Sequence, residues 1–174
     1  VHEILKAGRH LLSLINEVLD LAKVESGKID VSLEPVELMP VIDDCLRLIE
    51  PMAAKRGISL EFPTACDAVV RVDRTRFKQI ILNLLSNAVK YNRVGGKISL
   101  KVCGDDRIRI SVSDSGYGVS EQRLPELFQP FNRLNAESSG IEGTGIGLTI
   151  TRRLIEIMGG SIGVASVVNE GTTF

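Results

Sequence analysis

Three short stretches of this 174-residue chain carry residue types that could do chemistry together. The first runs from Phe77 to Tyr91 and holds Asn83, Asn87 and Lys90, spaced four and three residues apart. On a helix that spacing puts all three on one face, while Ile80, Ile81, Leu84, Leu85 and Ala88 cover the rest. A face that only meets water usually carries Glu, Lys or Ala, and two Asn there lower helix propensity. An Asn offers a neutral oxygen to a hard cation, and a Lys offers a point charge to a phosphate. Alone, the stripe is equally compatible with a solvated helix face.

The second stretch is Asp114-Ser115-Gly116-Tyr117-Gly118, directly after a strand pattern. A carboxylate at a strand end can accept a hydrogen bond from an exocyclic amine, and glycines beside it let backbone approach a flat ring. By itself it is also an ordinary strand-to-loop turn. The third is Gly143-Thr144-Gly145-Ile146-Gly147, leading straight into a helical pattern at Leu148. Glycines at a helix start present free N–H groups and the positive end of the helix dipole, which suits phosphate. A dinucleotide fingerprint would need a strand just before it, but residues 137–142 are polar loop. No Gly-Lys-Ser/Thr follows, so a P-loop is excluded as well.

These residues need elements to hold them. A helix at the start of the chain shows Ile4, Leu11, Ile15, Val18 and Ala22, with Leu5, Leu12, Leu14, Leu19 and Leu21 widening its apolar face. So broad a face calls for partner helices on more than one side, as in a four-helix bundle, and Gly27 stops it. Residues 29–33 alternate like a strand. Pro40 opens a helix towards Arg56 and Gly57, with Pro51 predicting a kink or an early end. Strands are expected at 58–62 and 69–72, and Asp73 caps a helix over 74–91. Strands at 97–103 and 107–113 form a hairpin across Asp105-Asp106. A short helix is expected at 121–128 and another over 147–158. Strands at 161–168 and 172–174 meet across Asn169-Glu170-Gly171. The pattern predicts a long helix (residues 1–28) followed by a domain (29–174) built as a two-layer α/β sandwich, a mixed sheet with helices on one face.

Composition bounds the partners. A formal net charge of −1 with 4% aromatics and no Trp argues against nucleic acid. Cys45, Cys66 and Cys103 are scattered and odd in number, which speaks against a disulfide framework or a zinc site and for a reducing cytoplasm. There is no signal peptide and no membrane-length apolar run. The chain opens mid-pattern and reads as a piece of a longer protein, compatible with a membrane anchor elsewhere.

The order of the three stretches closely resembles the N box and the two glycine boxes of sensor histidine kinases. Phe128-Gln129-Pro130-Phe131-Asn132-Arg133 resembles the F box between them. Residues 10–27 resemble the second helix of the family's dimerisation bundle, and the likeness continues through 159–162 and 170–174. It implies the histidine-kinase ATPase sandwich, with ATP and Mg2+ as cofactors. By resemblance Asn87 is the Mg2+ ligand, Asn83 lies one turn before it, Lys90 meets the phosphates and Tyr91 packs near the adenosine. Asp114 binds the adenine amine, beside Gly116 and Gly118, while Gly143, Thr144, Gly145, Gly147 and Leu148 line the triphosphate in a lid. Arg133 reaches the γ-phosphate, and Asn83, Lys90 and Arg133 are the catalytic candidates.

The implied activity is transfer of the ATP γ-phosphoryl to a histidine on a bundle helix of the same or a partner subunit. Relay to the receiver domain of a response regulator follows, within a homodimer. Two features depart from the family pattern. Tyr117 is bulkier than expected in its box, and the acceptor motif is missing. His2-Glu3 lacks the Pro that should follow, and His10 matches no acceptor pattern, so the acceptor helix is expected before Val1. A hydrolase of the gyrase or mismatch-repair type would carry Glu where Asn83 stands, since an amide cannot accept the proton of an attacking water. A nucleotide-binding regulatory module without transfer activity is the other alternative.

Overall fold

A computed structural model of the protein describes residues 2–26, 29–63, 67–104, 106–132 and 143–174. Its helices are α1 (His2–Glu25), α2 (Leu38–Ala54), α3 (Arg74–Lys90) and α4 (Gly147–Ile157), with a short 3-10 helix at Glu121–Phe128. Its strands are β1 (Glu34–Glu37), β2 (Ser59–Glu61), β3 (Val69–Val72), β4 (Lys97–Cys103), β5 (Arg109–Asp114), β6 (Ala165–Val167) and β7 (Gly171–Thr173).

Five strands form one sheet in the order β2-β4-β5-β7-β6, with β2 parallel to β4 and the other pairs antiparallel. β1 and β3 make a separate antiparallel pair. On β4, Ile98 and Leu100 are buried while Lys97 and Lys101 are exposed, so one face of the sheet is apolar. Leu38, Val41, Ile42, Cys45, Ile49 and Ala53 of α2 are buried in the core. So are Phe77, Ile80, Ile81, Leu84, Leu85, Ala88 and Val89 of α3, and Ile150 and Leu154 of α4. This is the two-layer sandwich the sequence predicts. Burial pushes the Cys45 thiol up to about 11, which makes it a packing residue and not a nucleophile. Cys103 is also a free thiol, and Cys66 and Asp105 lie outside the described residues.

Several elements differ from expectation. Residues 29–33 form no strand; the Ser32 N–H goes to the Asp73 carboxylate (3.1 Å) instead of a ladder partner. α2 runs past Pro51 to Ala54, because the carbonyl of Pro51 still accepts from the Lys55 N–H (3.4 Å) and Ala53 is fully buried. Of 161–168 only Ala165–Val167 is strand, since its partner β7 offers just Gly171, Thr172 and Thr173. The hairpin strand β5 likewise starts at Arg109, two residues later than expected.

α1 touches the domain near its C-terminal end. Leu21 is buried in the core cluster, and Asp20 accepts from the Gln79 amide (3.4 Å). Further along α1, Leu5, Leu11, Leu12, Ile15, Val18 and Leu19 are 45–61% exposed, an apolar face left uncovered within this chain. Among the described residues no helix is long and apolar enough to cross a membrane.

Asp73 is the anchor of α3. Its carboxylate accepts from the Arg76 N–H (2.9 Å) as an N-cap and from Ser32 at the exit of α1. Partial burial raises its pKa, but the backbone donors of Arg76, Ser32 and Thr75 outweigh that and hold it below the ordinary value. A depressed pKa means folding favours the carboxylate, so this stabilisation is complete above the unfolded pKa and fades as pH falls through the folded one. Asp73→Ala is expected to cost about 1 kcal/mol at neutral pH. Urea denaturation at a series of pH values should show the two proteins converging below about pH 4.

Candidate nucleotide site

α3 forms the wall shared by all three chemistry-bearing stretches. Asn83, half-buried, donates its amide to the Thr151 hydroxyl on α4 (2.8 Å). Its Oδ1 lies against the first residue of α4: a Cβ on Gly147 would sit 2.5 Å from that oxygen, so any larger residue there must push the Asn83 side chain aside. One turn on, Asn87 is half-buried, as is Lys90 beyond it. Among the described residues neither the Asn87 amide nor the Lys90 ammonium has a hydrogen bond or an ion pair.

Tyr91 closes α3, its N–H donating to Asn87 O (2.9 Å) and its carbonyl accepting from the Tyr117 N–H (3.2 Å). That bond draws the first glycine stretch onto the end of the helix. A Cβ on Gly116 would lie 2.2 Å from Tyr91 O, so this approach demands glycine. Asp114, at the end of β5, accepts from the Gly116 N–H (2.8 Å). Burial raises its pKa, against the lowering effect of the Gly116 and Thr172 backbone donors. Gly118 turns at φ 66° beneath the Val167 carbonyl.

Tyr117 does not crowd the box. Its ring is 52% exposed and lies under the Arg93 guanidinium, 5.8 Å from it. Arg93 donates to both the backbone oxygen (2.8 Å) and the side-chain oxygen (3.0 Å) of Asn169, and Asn169 N–H donates to Tyr117 O (2.8 Å). The bulky residue thus tethers the β6–β7 turn to the outside of the box.

The third stretch enters α4 as expected. Ile146, the buried N-cap, provides no side-chain hydrogen bond to the helix start, which leaves the positive end of α4 without a cap of its own. Thr144 Oγ1 accepts from Ile146 N–H (3.1 Å) and shapes the approach. Gly145, at φ 74°, accepts from the Phe131 N–H (3.1 Å), while a Cβ on Gly143 would meet open space. Leu148 packs against the core, and Thr149 Oγ1 donates to Phe128 O (3.0 Å). Phe128 meets Phe174 edge to face at 6.4 Å, with the Arg152 guanidinium 5.4 Å from its ring, so it is a packing anchor. Arg133 lies outside the described residues.

Several contributors carry no signal in the sequence. Thr151 is buried and notable only because Asn83 meets it. Asn92 is fully buried; it donates to Lys97 O (3.0 Å) and accepts from Arg93 N–H (2.9 Å), locking the turn after α3. An Asn directly after a helix and shortly before Gly95-Gly96 was the available hint. Among the described residues no group of three or more His, Cys, Asp or Glu could hold a metal ion. A cation here would need amide oxygen, water and the ligand's own phosphates, a donor set that suits Mg2+.

A half-buried carboxylate, a polar helix face and an uncapped helix start on a two-layer sandwich define a nucleotide-binding ATPase domain. Residues 72–174 match the family described as histidine kinase-, DNA gyrase B- and HSP90-like ATPase, and the chain belongs to it. Its relatives within that family are sensor histidine kinases. It is 39% identical over 177 residues to the sensor protein GacS of Pseudomonas syringae pv. syringae, covering 97% of this chain and 20% of that protein. The crystal structure of full-length ShkA in complex with AMPPNP superposes with a TM-score of 0.82 at 32% identity, covering 97% of this chain and 35% of that one. Histidine kinase ThkA in complex with the response regulator protein TrrA gives a TM-score of 0.75 at 26% identity, covering 100% of this chain and 48% of that one. The chain spans about a fifth of the length of the curated relatives it matches.

Gly147→Ala should force Asn83 away from α4. The expected cost is about 1–3 kcal/mol of stability. Thermal unfolding should show that loss, and Asn83→Ser in the same chain should recover part of it by clearing the oxygen from the new methyl group.

Proposed function

We propose that this chain is the catalytic part of a cytoplasmic sensor histidine kinase, which holds Mg2+-ATP while its γ-phosphoryl passes to a histidine outside residues 1–174. The observation that carries this reading is the pair Asn87 and Lys90. Both are half-buried, and neither has a hydrogen bond or an ion pair among the described residues. They stand on a helix that meets a half-buried carboxylate at one end and an uncapped helix start at its middle. In this reading Asp114 accepts from the adenine amine and Tyr91 flanks the adenosine. Lys90 meets the phosphates, Asn87 is the Mg2+ ligand, and residues 143–148 line the triphosphate. Arg133 reaches the γ-phosphate. Mg2+ held there would supply charge neutralisation for the phosphates. The chain's own residues contribute positioning and electrostatics, which is most of what phosphoryl transfer asks of a protein.

Asn83 argues against hydrolysis. Its amide hydrogen is committed to Thr151 and its chemistry offers no base, so no group stands at that position to activate water. The exposed apolar face of α1 supports the second bundle helix of a homodimer, with residues 1–28 as that segment and 29–174 as the catalytic domain. The phosphoacceptor helix and a response regulator receiver domain are the macromolecular partners in this reading.

The deciding experiment supplies the missing helix. With γ-labelled ATP and Mg2+, this chain alone should take up no acid-labile label. Joined to the upstream sequence of its gene, it should label that segment on histidine. Stoichiometric label on His2 or His10 overturns the reading, and so does nucleotide binding without any transfer to the restored segment. Asn87→Ala should weaken Mg2+-dependent binding by about tenfold or more, as measured by calorimetry with and without Mg2+.

Asp114 makes binding pH-dependent. Its raised pKa keeps the carboxyl protonated to higher pH than a free aspartate, and a protonated carboxyl is the poorer acceptor for an amine. Affinity for an adenine nucleotide should therefore be complete at neutral pH and fall as pH drops through that raised value. The sign reverses for stability without nucleotide: ionising Asp114 costs folding free energy as pH rises through the same range. Titrations from neutral pH down into the ordinary carboxylate range should show a steeper loss of affinity for the native chain than for Asp114→Asn, which has no proton to gain.

A further inference from the structure

Arg56 lies outside all three chemistry-bearing stretches, in the turn after α2. Its guanidinium nevertheless reaches the end of α3. Nη1 donates to Val89 O and to Lys90 O (2.9 Å), and Nη2 donates to Asn92 O (2.7 Å). The carbonyl of Arg56 in turn accepts from the Gly95 N–H (2.9 Å), which ties the same turn to the backbone beyond α3. Tyr91 O, the one carbonyl between these acceptors that Arg56 does not take, goes to the Tyr117 N–H (3.2 Å). Four successive carbonyls, Val89 to Asn92, are thus each met by a donor from elsewhere in the chain, and Arg56 supplies three of the four.

The last carbonyls of a helix have no partner within it, and a helix end left to water frays. A cation there also faces the negative end of the helix dipole. The planar fork of an arginine can bridge several oxygens in fixed directions, which a lysine ammonium cannot. The residues held between these bonds are Lys90 and Tyr91.

We propose that Arg56 is a positioning residue for nucleotide binding: by clamping the carbonyls on both sides of Tyr91, it fixes the directions in which Lys90 and Tyr91 leave α3. The inference rests on the reading of those two residues as nucleotide contacts. Arg56 itself touches no ligand. Its effect on affinity passes through the last turn of α3; Asp114 stands on β5 and meets that turn only indirectly, through Gly116, so it is the more weakly coupled of the two contacts.

The test is a double-mutant cycle on the full chain, with Mg2+-ADP binding measured by calorimetry at a temperature where circular dichroism shows each variant folded. Arg56→Ala should weaken binding by about tenfold. In a Lys90→Ala background the same change should have little further effect, while in an Asp114→Asn background it should keep most of its size. Arg56→Lys should recover only part of the affinity, and millimolar guanidinium should partly rescue Arg56→Ala. A brace that serves stability alone would lower the melting temperature and leave the affinity of the folded protein unchanged; that result overturns the inference. So does a loss that is equally additive with Lys90→Ala and Asp114→Asn. Should Arg56→Ala not fold, Arg56→Lys and Arg56→Gln carry the same cycle. A native chain that binds no nucleotide overturns the site reading and this inference together. Binding that Lys90→Ala weakens and Arg56→Ala leaves intact overturns this inference alone.

Discussion

Asn83 packs so closely on the first turn of α4 that a methyl group on Gly147 would have to displace its side chain, and the rest of the site depends on that closeness. The contact sets α4 against α3, so the uncapped start of one helix opens beside the polar face of the other. The same helix receives the first glycine stretch at its other end, where Gly116 presses on Tyr91 O. Two glycines at two close approaches therefore bring distant residues together, Gly147 onto Asn83 more than sixty positions away and Gly116 onto Tyr91. At Gly116 the demand is against backbone, which no other residue type satisfies; at Gly147 it falls on the Asn83 side chain.

How much of this could be read beforehand follows from the range of each interaction. α3 was legible because its cap, apolar stripe and polar face lie within one helical stretch and obey one period. The glycine stretches were legible as types, and their order carried the family resemblance. Asp73 was readable as a cap, but its second bond to Ser32 was not, because that partner lies 41 residues away. Arg56 and Thr151 were silent for the same reason: an arginine before a glycine and a threonine in a helix look ordinary until the fold brings acceptors or donors to them. Residues 29–33 show the opposite error. Alternation is a local pattern, whereas a ladder needs a neighbour, and there the neighbour is a side chain.

Tyr117 shows how a departure from a family pattern is accommodated. The box requires small residues only where backbone meets backbone, at Gly116 and Gly118. The position between them faces outward, where a large ring can stack under Arg93 and help hold the Asn169 turn. The constraint is on backbone approach, and the side chain at the intervening position is free to take on a different task.

The sheet order has a consequence for how the protein comes into being. β7 pairs with β5 at its centre, setting Thr172 opposite Asp114, and Phe174 exchanges both backbone bonds with Val112. Strands that lie side by side in the sheet are thus made some sixty residues apart. At ribosomal speeds of about 5–20 residues per second, the carboxylate end of β5 waits several seconds for its neighbour. Until then β5 has a bare edge and Asp114 lacks the Thr172 backbone donor. The nucleotide pocket is therefore completed only once β7 has been made, well after the stretch that carries Asp114.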